Sequence, residues 1–213
     1  MSYLSVALAK GRIAEDSIKL FKKINLGKTE LNSTSRKLVL KDEEEKIKFI
    51  FVKPTDVPTY VERGVADIGI VGKDTIMEEG KNIYEIMDLG FGKCKISIAA
   101  LKGFEIHDMV TELKIATKYP NIAKNYFYNK GIDIDIIKLN GSVELAPIMG
   151  LSDIIVDIVE TGRTLKENGL EVIEDMHNIS ARFISNKVSF KVKNNVISKI
   201  INKIERYREG ENR

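Results

Sequence analysis

Apolar, strand-like runs alternate with stretches of helical periodicity along most of the chain, and that alternation is the pattern of an α/β architecture. Leu4 to Ala9 reads as a buried strand, Lys10-Gly11-Arg12 as a turn, and Ile13 to Ile24 as a helix with Ile13, Ile18, Leu20, Phe21 and Ile24 on one side. Lys37 to Leu40 and Ile47 to Val52 flank the acidic run Asp42-Glu43-Glu44-Glu45, which predicts a hairpin with a solvated tip. Thr55 to Gly64 makes a short helix, Asp67 to Val71 a strand and Lys73 to Glu79 a helix. Gly90 and Gly92 then interrupt the pattern, which marks a crossover into a second set: strands at Lys95 to Leu101, Leu113 to Thr117, Ile132 to Leu139 and Asp153 to Val159, with helices at Tyr119 to Lys130 and Val143 to Met149. A short helix follows at Thr164 to Asn168. Glu171 to Met176 and Ala181 to Ser185 come next, and the helix Asn194 to Arg208 carries an apolar stripe of Val196, Ile197, Ile200, Ile201 and Ile204 that should dock on a sheet.

Composition removes several function classes. The 34 lysines and arginines against 31 aspartates and glutamates leave a formal charge of +3, too balanced for a protein that lives on nucleic acid or another polyanion. One cysteine, Cys94, forbids an intrachain disulfide and points to a reducing compartment. The apolar run at the N-terminus is brief and meets Lys10-Gly11-Arg12 at once, so it is no signal peptide, and no window approaches the roughly 18 apolar residues of a membrane span. A cytoplasmic protein with no membrane role is expected. His107 and His177 are far apart, with no Cys or His at ligand spacing, so no zinc site and no metal held by protein side chains is expected.

The richest stretch is Ile154 to Leu165, a buried strand that ends abruptly in the polar turn Glu160-Thr161-Gly162-Arg163-Thr164 and leads into a helix. Gly162 lets backbone approach an anion, the amides around it point inward, and the hydroxyls of Thr161 and Thr164 add donors, which together make a phosphate cradle. Asp157 and Glu160 would repel phosphate. They make sense as acceptors for sugar hydroxyls or as help for a divalent cation, and a ribose 5-phosphate satisfies both halves. A bare Thr-Gly turn is also ordinary helix-capping chemistry.

The run from Glu144 through Gly150 to Asp157 and on to Thr161-Gly162-Arg163-Thr164-Leu165 resembles the signature of the ATP phosphoribosyltransferases, the first enzymes of histidine biosynthesis. Leu8 to Arg12, Val52 to Val61 and Gly64 to Asp74 resemble the family's other hallmark segments in the right order. The resemblance implies a two-domain α/β fold of the periplasmic-binding-protein type (type II), with an active-site cleft between a discontinuous first domain (1–90 plus about 179–213) and a second domain (91–178) that carries the phosphoribosyl pyrophosphate loop. It implies that N1 of ATP attacks C1 of 5-phosphoribosyl 1-pyrophosphate and expels pyrophosphate, with Mg2+ chelated by the substrates. Long-form members continue into a regulatory domain. This chain resembles the short form, which implies a homodimer within a hetero-octamer containing a regulatory subunit akin to histidyl-tRNA synthetase.

Lys10 and Arg12 follow the first strand at the carboxyl end where open α/β sheets bind ligands, and two cations there suit a polyphosphate. The resemblance implies that they, with Arg36 and Lys53, carry the catalytic load; at Lys53 many members have arginine, and lysine offers a point charge in place of a planar fork. Asp157, Glu160, Thr161, Gly162, Arg163 and Thr164 are the candidates for phosphoribosyl pyrophosphate. Asp67, Gly69 and Gly72 end a strand and either admit ATP or pyrophosphate or simply pack tightly, whereas Gly141, Ser142 and Glu144 open a short helix whose amides suit a second anion, Glu144 being alternatively a cap. An adjacent-acid phosphoribosyltransferase for a free base, and a non-enzymatic anion-binding protein of the same fold, are the competing classes.

Overall fold

The computed structural model describes residues 3–27, 37–104 and 112–211. The chain runs β1 (Leu4–Ala9), α1 (Arg12–Lys23), β2 (Val39–Asp42), β3 (Ile47–Val52), a 3-10 turn at Pro54–Asp56, α2 (Val57–Glu62), β4 (Ile68–Gly72), α3 (Lys73–Glu79) and β5 (Tyr84–Asp88). It continues through β6 (Cys94–Leu101), β7 (Leu113–Thr117), α4 (Pro120–Lys130), β8 (Ile134–Lys138), α5 (Leu145–Ile148), β9 (Ile154–Val159), α6 (Arg163–Glu167) and β10 (Leu170–Ile179). It closes with β11 (Ala181–Ser185), α7 (Lys187–Val192) and α8 (Asn194–Glu211). Two compact units result: Met1–Gly92 with Ser180–Arg213, and Lys93–Ile179.

In the first unit the sheet order is β2-β3-β1-β4-β11-β5. β1 lies parallel to both β3 and β4, while β2 and the β11–β5 pair add antiparallel edges. Parallel central strands are covered on both faces, which is why β1 is buried at all six positions. Val6 and Leu8 face α1 and α8 through Ile18, Phe21, Ile197, Ile200 and Ile204, whereas Ala7 and Ala9 face α2 through Val57 and Val61. Of the apolar stripe on α8, Val196 points outward at 47% exposure, so the docked face is Ile197, Ile200 and Ile204, one residue in three or four as helical geometry demands. The hairpin tip is held by Asp42, whose buried carboxylate accepts from the amides of Glu44 at 3.1 Å and Glu45 at 2.9 Å. The acidic run is therefore a turn with one internal cap rather than a purely solvated tip.

In the second unit the order is β10-β6-β9-β7-β8. β9 runs parallel to β7 and antiparallel to β6, so the carboxyl end of β9 lies beside that of β7 and the start of β6. One face packs Ala99, Ala116 and Ile155 against Val143, Ala146 and Leu165 of the α5 and α6 region. Two elements stand where the sequence reading assigned nothing, β5 and α7. Among the described residues no helix is long and apolar enough to cross a membrane.

Candidate functional site

The turn after β9 is built as a cradle. Gly162 takes the left-handed conformation, φ 70° and ψ 5°, which a side chain would strain, and the chain then turns at once into α6 with the Lys166 amide donating to the Gly162 carbonyl at 3.1 Å. Thr161 and Thr164 are exposed. The Thr161 hydroxyl accepts from the Arg163 amide only at 3.5 Å, the long limit for such a bond, so it is not spent on the fold. A cavity of about 260 Å³ opens here, lined by Glu144, Asp157, Glu160 and the whole Thr161–Thr164 turn.

Arg163, which also lines the cavity, holds its charge against a carboxylate. Its Nε donates to Glu167 Oε1 at 2.8 Å along α6, with both side chains well exposed. An exposed pair spaced four apart on a helix is worth only about 0.3–0.5 kcal/mol, which is no obstacle to the guanidinium turning toward an anion.

Asp157 sits on β9 two residues before the strand ends, and burial pushes its carboxyl above the ordinary carboxylate range. The Ile158 amide, donating at 2.8 Å, works against that push; Glu144 adds to it, and Lys118 opposes it. Three carboxylates, Glu144, Asp157 and Glu160, thus share the cavity, and Glu144 stands at the N-cap position of α5 without a side-chain capping bond. A half-buried pair of acceptors beside unspent hydroxyl and amide donors is suited to a molecule with hydroxyls at one end and phosphate at the other. Lys118 escaped the sequence reading, although its position directly after a strand is the same signal that singled out Lys10. Gly141 and Ser142 lie just ahead of α5, exposed, with Ser142 in the left-handed region at φ 49°.

In the first unit, β1 and β3 end side by side, with Ala9 opposite Val52 and the Lys10 amide donating to the Val52 carbonyl at 2.9 Å. Lys10 and Lys53 therefore leave adjacent parallel strands at their carboxyl ends, and Arg12 opens α1 one turn further on. All three are exposed. Arg36 lies outside the described residues.

Asp67, Gly69 and Gly72 resolve toward packing. Asp67 is 5% exposed, and its carboxylate accepts from the Ser5 amide at 2.8 Å, the Ser189 hydroxyl at 2.7 Å and Lys193 Nζ at 2.7 Å. These bonds tie α7 and α8 back to β1, which favours the packing alternative for this residue. A Cβ on Gly69 would stand 2.9 Å from Val61 and 3.0 Å from Val57, so this glycine exists to let α2 press onto β4. At Gly72 a Cβ would run into the Asp74 carboxylate at 2.1 Å. Among the described residues no three His, Cys, Asp or Glu side chains converge as a metal site.

Comparison with known proteins identifies the family. The family model "ATP phosphoribosyltransferase" matches residues 53–206. Curated proteins of that name are similar to the chain: one from Clostridioides difficile is 62% identical over 96% of this chain and 98% of its own length, and one from Ruminiclostridium cellulolyticum is 55% identical over 94% and 95%. Among solved structures, the ATP phosphoribosyl transferase (HisG:HisZ) complex from Thermotoga maritima aligns with a TM-score of 0.84 and 37% identity, covering 97% of this chain and 99% of that one. The aliphatic sulphonate binding protein SsuA from Escherichia coli aligns at 0.61 and 13%, over 97% of this chain and 72% of that one, a likeness of fold alone that is the two-domain periplasmic-binding type. Relatives matched nearly end to end and a family model spanning most of the chain lead to one conclusion: the chain belongs to the ATP phosphoribosyltransferase family, the pentosyl-transferring enzymes of the first step of histidine biosynthesis.

Proposed function

We propose that the chain carries out this transfer by holding the 5-phosphate of phosphoribosyl pyrophosphate on the Thr161–Thr164 turn while Asp157 and Glu160 accept hydrogen bonds from the ribose hydroxyls. The observation that carries the reading is the cavity that places Asp157 and Glu144 against that turn. N1 of ATP attacks C1 of the ribose as the bond to pyrophosphate breaks; the electron pair leaves with pyrophosphate, and the anomeric carbon inverts. Two polyanions must be brought together, so alignment and charge neutralisation are the work of the protein. Lys10, Arg12, Arg36 and Lys53 serve the nucleotide and the departing pyrophosphate. Gly141 and Ser142 offer backbone to a second anion. Magnesium brought in with the substrate would supply further neutralisation of the leaving group.

The chain is a short-form catalytic subunit of the cytoplasm that pairs with itself and assembles with a regulatory chain resembling histidyl-tRNA synthetase, in a hetero-octamer. The relative from Thermotoga maritima, solved as a HisG:HisZ complex, supports the pairing. An effector shifts an equilibrium no further than its differential affinity allows, so histidine bound to the regulatory chain acts by favouring one arrangement of the catalytic one. Phosphoribosyl-ATP formation from ATP and phosphoribosyl pyrophosphate, followed across a histidine titration with and without the regulatory chain, tests this. Inhibition is expected only in the complex; equal inhibition of the isolated chain would place the effector site on this polypeptide, and failure to form product under either condition would remove the assignment.

A further inference from the structure

Beyond the turn, the sheet of the second unit carries a polar row across four strands. Asp175 on β10 stands opposite Ser97 on β6, and Ser97 stands opposite Asp157 on β9. On β7, Thr117 is opposite Val156, so the next residue, Lys118, stands beside Asp157 where the parallel pair ends. Alternation along a strand puts Lys118 on the face of Ala116 and Asp157 on the face of Ile155, and those two share one packed cluster with Val143, Ala146 and Leu165. Lys118 and Asp157 therefore project on the same side of the sheet, the side that carries the Thr161–Thr164 turn.

The position is fixed from below. Thr117 is fully buried; its hydroxyl donates to the Val156 carbonyl at 2.6 Å and accepts from the Tyr119 amide at 2.8 Å. That double bond pattern locks the end of β7 to β9 and sets the direction in which the chain leaves at Lys118. Two other cations near the turn lie against carboxylates, Arg163 with Glu167 and Lys95 with Asp175. Lys118 is exposed and joined to no carboxylate by an ion pair among the described residues, and its charge favours the ionised form of Asp157.

We propose that Lys118 is a further substrate-binding residue of the phosphoribosyl pyrophosphate site, supplying positive charge to the phosphate oxygens from its place beside Asp157 at the end of β7. Three carboxylates, Glu144, Asp157 and Glu160, line the cavity, and a cation beside Asp157 offsets the repulsion they would exert on a polyanion. The inference rests on the assignment of the Thr161–Thr164 turn to the sugar phosphate.

Titration calorimetry of phosphoribosyl pyrophosphate and, separately, ATP into the full chain and its variants Lys118→Gln, Lys118→Arg and Thr164→Val tests it. The expected result is a roughly tenfold weaker sugar-phosphate Kd for Lys118→Gln, recovery of most of that loss in Lys118→Arg, and unchanged ATP affinity and melting temperature in both. Wild-type affinity in Lys118→Gln with a weakened Thr164→Val would overturn the lysine while leaving the turn assigned. Equal losses for Gln and Arg, or an equal loss for ATP, would also overturn it. Unchanged affinity in Thr164→Val as well would remove the turn assignment and the lysine with it.

Discussion

Asp157 shows how function and stability oppose each other at a single residue. Its carboxyl is pushed up chiefly by burial, so the folded chain holds that proton more tightly than the unfolded chain does. The group's contribution to stability is then fully present below the unfolded pKa and is lost as pH rises through the raised folded value. At neutral pH the ionised carboxylate is a cost to the fold. Asp157→Asn should therefore melt at a higher temperature than the parent at neutral pH, with the gap closing below about pH 4, while phosphoribosyl pyrophosphate binding falls. Thermal melts across pH check the sign: a lower melting temperature for the variant at neutral pH would contradict it. At this scale the local structure was legible where residue type and position coincide: Gly162 takes the left-handed conformation at the turn after β9, and Lys10 leaves β1 at its carboxyl end. Lys118 was not legible, because one lysine after a strand is indistinguishable from a solvated one until β7 is known to lie beside β9. The bonds of Asp67 were not legible for the complementary reason: its partners Ser189 and Lys193 are far away in the chain.

Elements were read well where periodicity was strong. β1, β3, β6 and β7 and the helices α1, α4 and α8 stand where apolar spacing put them, with ends shifted by a residue or two or, at the end of α8, by three. β5 was missed because its residues are exposed or half-buried without alternation, as expected of an edge strand that packs little. α7 is six residues long and buries none of them, so no apolar stripe announced it; its one signal was Asn186, whose side chain caps the amides of Val188 and Ser189 at 2.9 Å each. What holds α7 and the start of α8 is the Asp67 network. Asp67→Ala would leave Lys193, Ser189 and the Ser5 amide without their acceptor. Since Lys193 is a quarter exposed, the loss should be near the low end for breaking a buried pair, about 3 kcal/mol. Urea unfolding measures that figure, and hydrogen exchange should show α7 opening first. Sugar-phosphate affinity of the folded variant should match the parent; a selective loss of binding with stability intact would return Asp67 to the site.

For the molecule as a whole, the fold class followed from the alternation of strands and helices, and the family from motifs spread over nearly the whole length. Neither depended on fine geometry, which is why both were readable. The chain crosses from the first unit to the second and back, around Gly92 and Ile179, and of these only the first crossing carried a sequence mark, in Gly90 and Gly92. The central claim is that the turn after β9 holds the phosphorylated sugar and not the nucleotide. Titration of the wild-type chain and Thr161→Val with each substrate separately tests it most directly. Loss of a hydroxyl donor to a charged group should weaken phosphoribosyl pyrophosphate by roughly 1 to 3 kcal/mol and leave ATP affinity unchanged; unchanged sugar-phosphate affinity, or a loss that falls on ATP, would contradict it.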